Sequence, residues 1–194
     1  MRPLDASGVN RREFLRQTGL AAGVAAASGV AAGQTRGVSI VVDPEDPIAG
    51  AGPAKWAAGE LQQALAEKKI DVRLHQELGQ AAAGDLCIVA AGGAAPVARE
   101  ILKAANAALP AASEALALVP GKLAGKTVLL AWGNDALGLV YALLELADRV
   151  AHNVEPLAAL EVRSPIIERP ANVIRSVTRC FVSDVEDKPW YNDR

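Results

Sequence analysis

The stretch Leu86-Cys87-Ile88-Val89-Ala90 is apolar at every position and is followed by Gly92-Gly93. A strand without polar residues is typical of the centre of a sheet that is covered on both faces. Pro96 then stands where a helix is expected to begin, because proline is well suited to the first turn of a helix. This stretch therefore predicts an α/β domain built around one central strand.

Strands and helices are predicted to alternate on both sides of this central strand. The predicted strands are residues 38–42, 71–75, 86–90, 115–119 and 126–132, and the predicted helices start at Pro53, Pro96 and about Asp135. The last two strands are expected to form a pair whose connection, around Pro120-Gly121, is longer than the tight two-residue kind. The order β-α-β-β-α-β-β-α over residues 38–150 predicts an α/β (α+β) fold with helices packed on a mixed sheet.

The third predicted helix, from about Asp135 to Val150, is apolar on more than one side. Its apolar residues form two rows, Leu137, Val140, Tyr141 and Leu144 in one and Leu139, Leu143 and Leu146 in the other. A helix that is apolar on two sides is expected to be buried. This helix should therefore be the most buried of the three.

Length and composition limit what the chain can be. It has 194 residues, of which 51% are hydrophobic, but 40 are alanines and only seven are aromatic. A complete eight-stranded βα barrel needs about 250 residues and is therefore excluded. The formal charge of −2 excludes a nucleic-acid partner that is bound by charge. The composition fits one domain with tightly packed helices and the start of another.

The residues that carry most enzyme chemistry are few and dispersed. Cys87, Cys180, His75 and His152 lie far apart in the sequence. Their spacing matches neither a zinc site nor a disulfide framework, and no metal or cofactor is predicted. No catalytic residue is predicted in this chain either.

Acidic clusters and a glycine-rich loop are the remaining candidates for chemistry. Asp43-Glu45-Asp46 and Asp184-Glu186-Asp187 stand in proline-flanked loops, where solvated charge is expected. The loop from Ala90 to Pro96 joins a strand to a helix, but it lacks both the GxGxxG spacing and a P-loop lysine. A small nucleotide-using α/β enzyme is therefore only the third hypothesis for the function.

The N-terminal segment resembles a twin-arginine export signal. Its motif is Arg11-Arg12, one polar residue and then Phe14-Leu15, and the stretch from Thr18 to Ala32 is rich in alanine and glycine. We expect cleavage before Gly33, which makes residues 1–32 a signal peptide, the twin-arginine translocase a partner, and the periplasm or the cell exterior the location. A membrane anchor is the weaker interpretation, because a stable span needs about 20 strongly apolar residues. The other alternative is a disordered basic N-terminus or a poor helix. Removal of the signal would change the formal charge from −2 to −4.

A proline-punctuated stretch follows the predicted domain. Pro156, Pro165 and Pro170 divide it, and Leu160-Glu161-Val162 is its one predicted short strand. The run from Asn172 to Val182 predicts a further strand, and no later element is available to pair with it. Because a lone strand is not a stable ending, we expect a truncated chain or a gene fragment.

Two predicted helices resemble part of a known family of carbohydrate enzymes. Both resemble parts of a domain that precedes the catalytic barrel in bacterial β-N-acetylhexosaminidases of glycoside hydrolase family 20. Gly133 to Ala147 resembles the G-x-x-x-x-G-x-x-Y-(G/A)-L-x-E-L stretch of that domain. Pro53 to Leu61 resembles its early P-x-x-x-A-x-x-E-L helix. A similar domain precedes the barrel in α-glucuronidases of family 67. The resemblance covers about residues 38–182. It implies a non-catalytic accessory domain at residues 37–163, followed at residues 164–194 by a linker and the first strand of an otherwise absent (β/α)8 barrel.

The linker also matches these families near the first barrel strand. Arg175 and Arg179 stand close to the arginine of the family pattern, although Ser176 replaces a glycine and residue 179 is Arg where the glucuronidase-like pattern has His. The resemblance implies that Arg175 and Arg179 bind sugar hydroxyls or a uronate carboxylate, for which the planar guanidinium is suited. The alternative is that each is a salt-bridged arginine at a strand end.

The leading hypothesis is the non-catalytic N-terminal domain of an exported glycoside hydrolase, with the catalytic carboxylates beyond this chain. Its partners would be its own catalytic barrel and the oligosaccharide or glycoside substrate of the parent enzyme. A free-standing periplasmic carbohydrate-binding or scaffold module is the second hypothesis.

Overall fold

The computed structural model of the protein describes residues 37–172. The predicted signal residues Arg11, Arg12, Phe14 and Leu15 lie outside this range, and so do the predicted sugar-binding residues Arg175 and Arg179. Among the described residues, none of the helices has the length and apolar character needed to cross a membrane.

The described residues contain one six-stranded sheet. Its strands are β1 (Val38–Val42), β2 (Val72–His75), β3 (Leu86–Gly92), β4 (Leu116–Leu123), β5 (Lys126–Gly133) and β6 (Ile166–Glu168). They lie in the order β2-β1-β3-β5-β4-β6. β1 pairs in parallel with β2 and β3, and β3 pairs in parallel with β5, whereas β4 is antiparallel to β5 and β6. The predicted mixed sheet with a central apolar strand is confirmed.

Helices cover both faces of this sheet. They are α1 (Gly52–Glu67), α2 (Pro96–Ala104), α3 (Ala136–His152) and the short α4 (Pro156–Ala159), with a 3₁₀ turn at Leu78–Gln80. α1 and α3 share one hydrophobic core with the sheet, and α2 lies on the other face with a second core. Successive residues of β3 explain this division, since Ile88 belongs to the first core and Val89 to the second. The predicted order β-α-β-β-α-β-β-α is confirmed, and α4 and β6 extend it.

α3 is the most buried of the three long helices, as its sequence predicts. Seven of its residues are buried, against five in α1 and two in α2. Two glycines permit its close packing, because a Cβ on Gly138 would collide with the carbonyl oxygen of Ala115 and a Cβ on Gly133 with the backbone of Leu139. Packing therefore requires both glycines of the G-x-x-x-x-G pattern.

The predicted connection between β4 and β5 is wrong. The two strands are joined by a two-residue turn, Ala124-Gly125, in which the φ angles are 50° and 76°. Pro120 and Gly121 lie inside β4 instead, opposite Leu129 and Val128. A proline is tolerated there because β6 pairs only with the first three residues of β4, so no described strand needs the missing amide of Pro120.

The predicted short strand at residues 160–162 is also wrong. These residues follow α4, and Leu160 is buried in the core beneath α1 and α3. The strand that pairs with β4 is β6, which begins at Ile166. Three alternating residues are too few to distinguish a strand from a loop that anchors one leucine in the core.

Asp135 caps α3 and also ties it to the segment before β4. Its Oδ1 accepts a hydrogen bond from the Gly138 amide (2.9 Å), and its Oδ2 accepts from the Ser113 hydroxyl (3.0 Å) and the Glu114 amide (2.8 Å). Burial acts to raise the pKa of Asp135, but these hydrogen bonds outweigh it and hold the pKa below its ordinary value. The carboxylate therefore stabilises the fold while it is ionised.

We expect Asp135→Ala to lower the free energy of unfolding by about 1–2 kcal/mol at neutral pH, because the cap of α3 is lost. The native pKa lies below the unfolded one, so this loss should be fully present above about pH 4 and should shrink as the pH falls through the native pKa. Urea unfolding at a series of pH values, followed by circular dichroism, measures it. Asp148→Ala, on the exposed side of the same helix, is the control. An equal loss in both variants would contradict the capping role.

Candidate functional site

The carboxyl ends of the parallel strands are where an α/β sheet usually binds a ligand. The ligand lies in the crevice where neighbouring strands send their connections to opposite faces. Here β1 leads to α1 on one face, and its neighbour β3 leads to α2 on the other. The ends of β1 and β3, at Val42 and Gly92, therefore frame the expected crevice.

The chain's own loop occupies this crevice. The Asp46 carboxylate is 5% exposed and accepts hydrogen bonds from the amides of Gly92 (2.7 Å) and Ile48 (2.8 Å). The side chain of Ile48 lies against Gly92, where any side chain larger than hydrogen would meet it. Backbone amides at such a strand end would otherwise be available to a bound anion. The loop after β1 thus satisfies the Gly92 amide with a carboxylate of its own.

The expectation that Asp43, Glu45 and Asp46 are all solvated is wrong for Asp46. Glu45 is exposed, and Asp43 accepts a hydrogen bond from the Glu45 amide (2.8 Å) at the surface. Asp46 differs because a tight loop carries it over the end of β3. This tight loop requires a glycine at position 50, because a Cβ on Gly50 would collide with the carbonyl oxygen of Pro44. Gly50 is therefore the one residue in the sequence that indicates the loop.

The glycine-rich loop between β3 and α2 also makes its contacts within the domain. Asp46 already uses the Gly92 amide, and Gly93 lies against the Trp132 side chain. The indole Nε1–H of Trp132 is buried and has no hydrogen-bond partner among the described residues. The loop therefore has no free Gly92 amide for a phosphate, which weighs against a nucleotide-using enzyme.

The remaining candidates for chemistry do not come together. His75 ends β2, His152 ends α3, and Cys87 is buried within β3. Burial raises the pKa of the Cys87 thiol, and nearby Lys126 offsets this only in part. Within residues 37–172, no three His, Cys, Asp or Glu side chains are grouped as metal ligands would be.

Large apolar side chains are exposed on the outer surface of the layer formed by α1 and α3. Trp56 on α1 is 55% exposed, and Leu137 and Tyr141, one turn apart on α3, are 49% and 41% exposed. We call the surface that carries these three side chains the helical face. The predicted row on α3 is therefore divided, because Val140 is buried while Leu137 and Tyr141 are exposed.

α1 and α3 run in the same direction, which places these side chains at one end of the helical face. α1 connects two parallel strands, β1 and β2, and α3 leads from β5 to β6, which are both antiparallel to β4. A helix that connects two parallel strands must run back against them, so both helices begin at the same edge of the sheet. Trp56, Leu137 and Tyr141 all belong to the first half of their helices.

An acidic groove adjoins the helical face. It has a volume of about 590 Å³ and is lined by α1, α3 and the sheet edge at β4 and β6. Five carboxylates line it, those of Glu60, Glu67, Glu145, Asp148 and Glu168. The lining also contains Arg149, whose Nε donates a hydrogen bond to Glu145 (2.8 Å), and Tyr141, which the groove shares with the helical face. Neither the groove nor the helical face is evident from the sequence.

The comparisons with known proteins find similarity to solved structures alone. No family model matches the sequence, and no curated protein matches it. A GH138 enzyme targeting pectin rhamnogalacturonan II is 18% identical over 71% of this chain, with a TM-score of 0.44. CpGH84D is 12% identical over 61% of the chain, with a TM-score of 0.45. This chain spans 12% of the first of those two proteins and 18% of the second.

We expect Asp46→Ala to lower the free energy of unfolding by about 2–3 kcal/mol, because the buried Gly92 amide and the Ile48 amide lose their acceptor. Urea unfolding at neutral pH measures the change. Glu45→Ala, in the exposed part of the same loop, is the matched control and should leave the stability nearly unchanged. Equal stability of the Asp46 and Glu45 variants would contradict the structural role of the Asp46 carboxylate.

Proposed function

We propose that this chain is the non-catalytic N-terminal part of an exported glycoside hydrolase, β-N-acetylhexosaminidase-like or α-glucuronidase-like, that acts in carbohydrate metabolism. Residues 37–163 are its accessory domain, and residues 164–194 lead into its catalytic barrel. The signal at residues 1–32 directs it through the twin-arginine translocase to the periplasm or the cell exterior. Glycoside hydrolysis uses one carboxyl group to protonate the leaving oxygen and a second as base or nucleophile; in substrate-assisted enzymes the second carboxylate instead orients the substrate's own acetamido group. In this proposal both carboxyl groups lie beyond this chain.

The main support for this proposal is the exposure of large apolar side chains on the helical face. Trp56, Leu137 and Tyr141 are each about half exposed, and every Å² of apolar surface left in water forgoes about 25 cal/mol of stabilisation. Large apolar side chains that are exposed on one surface of a folded domain are candidates for an interaction surface. Aromatic residues are moreover enriched at the centres of protein interfaces. This face is therefore suited to packing against a neighbouring domain.

The position of the helical face supports a role in holding that neighbour. α1 and α3 are long helices anchored in one core, by Leu61 and Leu65 from α1 and by Leu139 and Leu143 from α3. Side chains on such helices are held more precisely than side chains on loops. The chain also leaves the sheet beside this layer, because Glu168 at the end of β6 lines the adjoining groove. The next domain would thus begin close to the face that it covers.

The start of the barrel would contain Arg175 and Arg179. In this proposal the first barrel strand lies in the run that ends at Val182. A guanidinium group there suits sugar hydroxyls or a uronate carboxylate, and it equally suits a carboxylate of the accessory domain.

A free-standing carbohydrate-binding module is the second candidate, because sugars stack on exposed aromatic rings. Trp56 and Tyr141 offer such rings, and Glu60 and Gln63 offer polar groups on α1, the helix that carries Trp56. Leu137 offers neither a ring nor a hydrogen-bonding group, although it is as exposed as the aromatic residues. Its exposure favours contact with protein over contact with sugar.

We expect Leu137→Asp to separate the accessory domain from the barrel in the longer polypeptide, because the variant would bury an unpaired charge in their interface. Scanning calorimetry should then show two unfolding transitions where the unchanged polypeptide shows one. Leu74→Asp is the matched control, since Leu74 is 43% exposed but lies on β2, outside the helical face. Identical melting of the two variants would contradict docking through this face.

The 194-residue chain alone should not hydrolyse aryl N-acetylglucosaminides or aryl glucuronosides. It should also release no heat when it is titrated with oligosaccharides in a calorimeter. Turnover would contradict the placement of catalysis in a later domain. Binding heat that disappears in Trp56→Ala would instead favour the free-standing carbohydrate-binding module.

A further inference from the structure

The parallel part of the sheet has a second crevice besides the one that Asp46 closes. β3 and β5 are neighbours and run in parallel. β3 leads to α2 on one face of the sheet, whereas β5 leads to α3 on the other. Neighbouring strands whose connections leave on opposite faces frame the kind of crevice in which α/β sheets bind ligands. This second crevice lies where the paired residues Gly92 and Gly133 end the two strands.

The indole N–H of Trp132 is an unused donor at this end of β5. The Trp132 side chain is 3% exposed, and its Nε1 has no hydrogen-bond partner among residues 37–172. A buried donor without a partner is unfavourable, because it has left water without gaining an acceptor. An acceptor that reached Nε1 would remove this unfavourable state.

The indole N–H faces the turn that joins β3 to α2. A Cβ on Gly93 would have Nε1 as its nearest neighbour, at 3.4 Å. Gly93 and Ala94 are both exposed, and the Ala95 amide closes the turn by donating to the Gly92 carbonyl oxygen (3.2 Å). The cover over Nε1 is therefore a short exposed turn that has no side chain at position 93. A small displacement of this turn would admit an acceptor to the N–H.

The same turn leads into α2, whose first amides are free donors. α2 has nine residues, and its N-cap, Ala95, has no side chain that could accept a hydrogen bond. The Arg99 amide donates to the Ala95 carbonyl oxygen (3.1 Å). The amides of Val97 and Ala98 come before it and have no acceptor within the helix. Free amides at the positive end of a helix favour a negatively charged oxygen.

The charges around the turn favour a ligand with a single negative charge. Arg99 forms no ion pair with a described residue, and helical side chains lean toward the N-terminus of their helix. The Asp46 carboxylate, on the adjacent Gly92 amide, repels further negative charge. This repulsion is greater for a doubly charged phosphate than for a carboxylate. A carboxylate also presents two acceptor oxygens in one plane.

We propose that the turn at Gly93 and Ala94 binds the carboxylate of a small organic acid. One oxygen accepts a hydrogen bond from the Trp132 indole N–H, and the other accepts from the first amides of α2. Acidic sugars belong to this class of ligand. The site lies within the described domain and does not involve the helical face, so this inference can fail while the proposed function stands.

The indole N–H resonance of Trp132 reports directly on this site. The 194-residue chain has three tryptophans, and Trp56→Phe and Trp190→Phe identify the other two indole signals in an NMR spectrum. Titration of the isotopically labelled chain with sodium glucuronate, at constant ionic strength, should shift the Trp132 indole proton downfield until the site is saturated. Glucose has the same ring without the carboxylate and should leave the signal unchanged.

Two glycine variants provide the matched comparison. Gly93→Ala places a methyl group between the turn and Nε1 without a contact shorter than 3.4 Å, so the variant should fold. It should weaken glucuronate binding about tenfold, because the hydrogen bond to the indole is lost. Gly79→Ala lies in another exposed turn, where a Cβ meets nothing within 4 Å, and should bind as the unchanged chain does.

Three results would overturn the proposal. The first is a Trp132 signal that does not respond to glucuronate, and the second is an equal response to glucose. The third is equally tight glucuronate binding by the Gly93→Ala and Gly79→Ala variants. A larger response to inorganic phosphate than to glucuronate would likewise overturn the assignment of the ligand as a carboxylate.

Discussion

Burial of β3 on both faces is the constraint on which the rest of this domain depends. Every residue of β3 after Leu86 is buried, so apolar partners are needed above and below the sheet. α2 supplies them on one face, and α1 and α3 supply them on the other. The close approach of α3 in turn requires Gly133 and Gly138, and the Asp135 carboxylate fixes where α3 begins.

The same arrangement leaves the outer surface of the domain as the place where we propose that it acts. The crevice where an α/β sheet usually binds its ligand is closed by the Asp46 carboxylate on the Gly92 amide. α1 and α3, which bury their inner sides, keep Trp56, Leu137 and Tyr141 exposed on the outside. A domain built in this way is suited to holding a neighbour, and we propose that this neighbour is a catalytic barrel.

The sequence predicts the helices and strands well because their patterns of apolar residues are strong. It predicts the turns between them and the burial of individual side chains less well. The run from Leu86 to Ala90 is apolar throughout and ends at a glycine pair, which favours a covered strand, and α1 and α3 follow from their spacing of apolar residues. The Ala124-Gly125 turn escapes prediction because alanine rarely takes a positive φ angle, so Pro120-Gly121 is the stronger local signal. Periodicity also places Leu137 and Tyr141 in one row without showing what covers that row. The burial of Asp46 depends on a strand that lies far from it in the sequence.

Hydroxyl-radical footprinting of Trp56 tests the central claim, the docking of the helical face, most directly. Trp56 is the most exposed aromatic side chain on the face, and the buried Trp132 serves as an internal reference in the same protein. The account predicts rapid oxidation of Trp56 in the 194-residue chain and strong protection in the polypeptide that includes the following domain, with Trp132 protected in both. Equal oxidation of Trp56 in the two proteins would contradict the account.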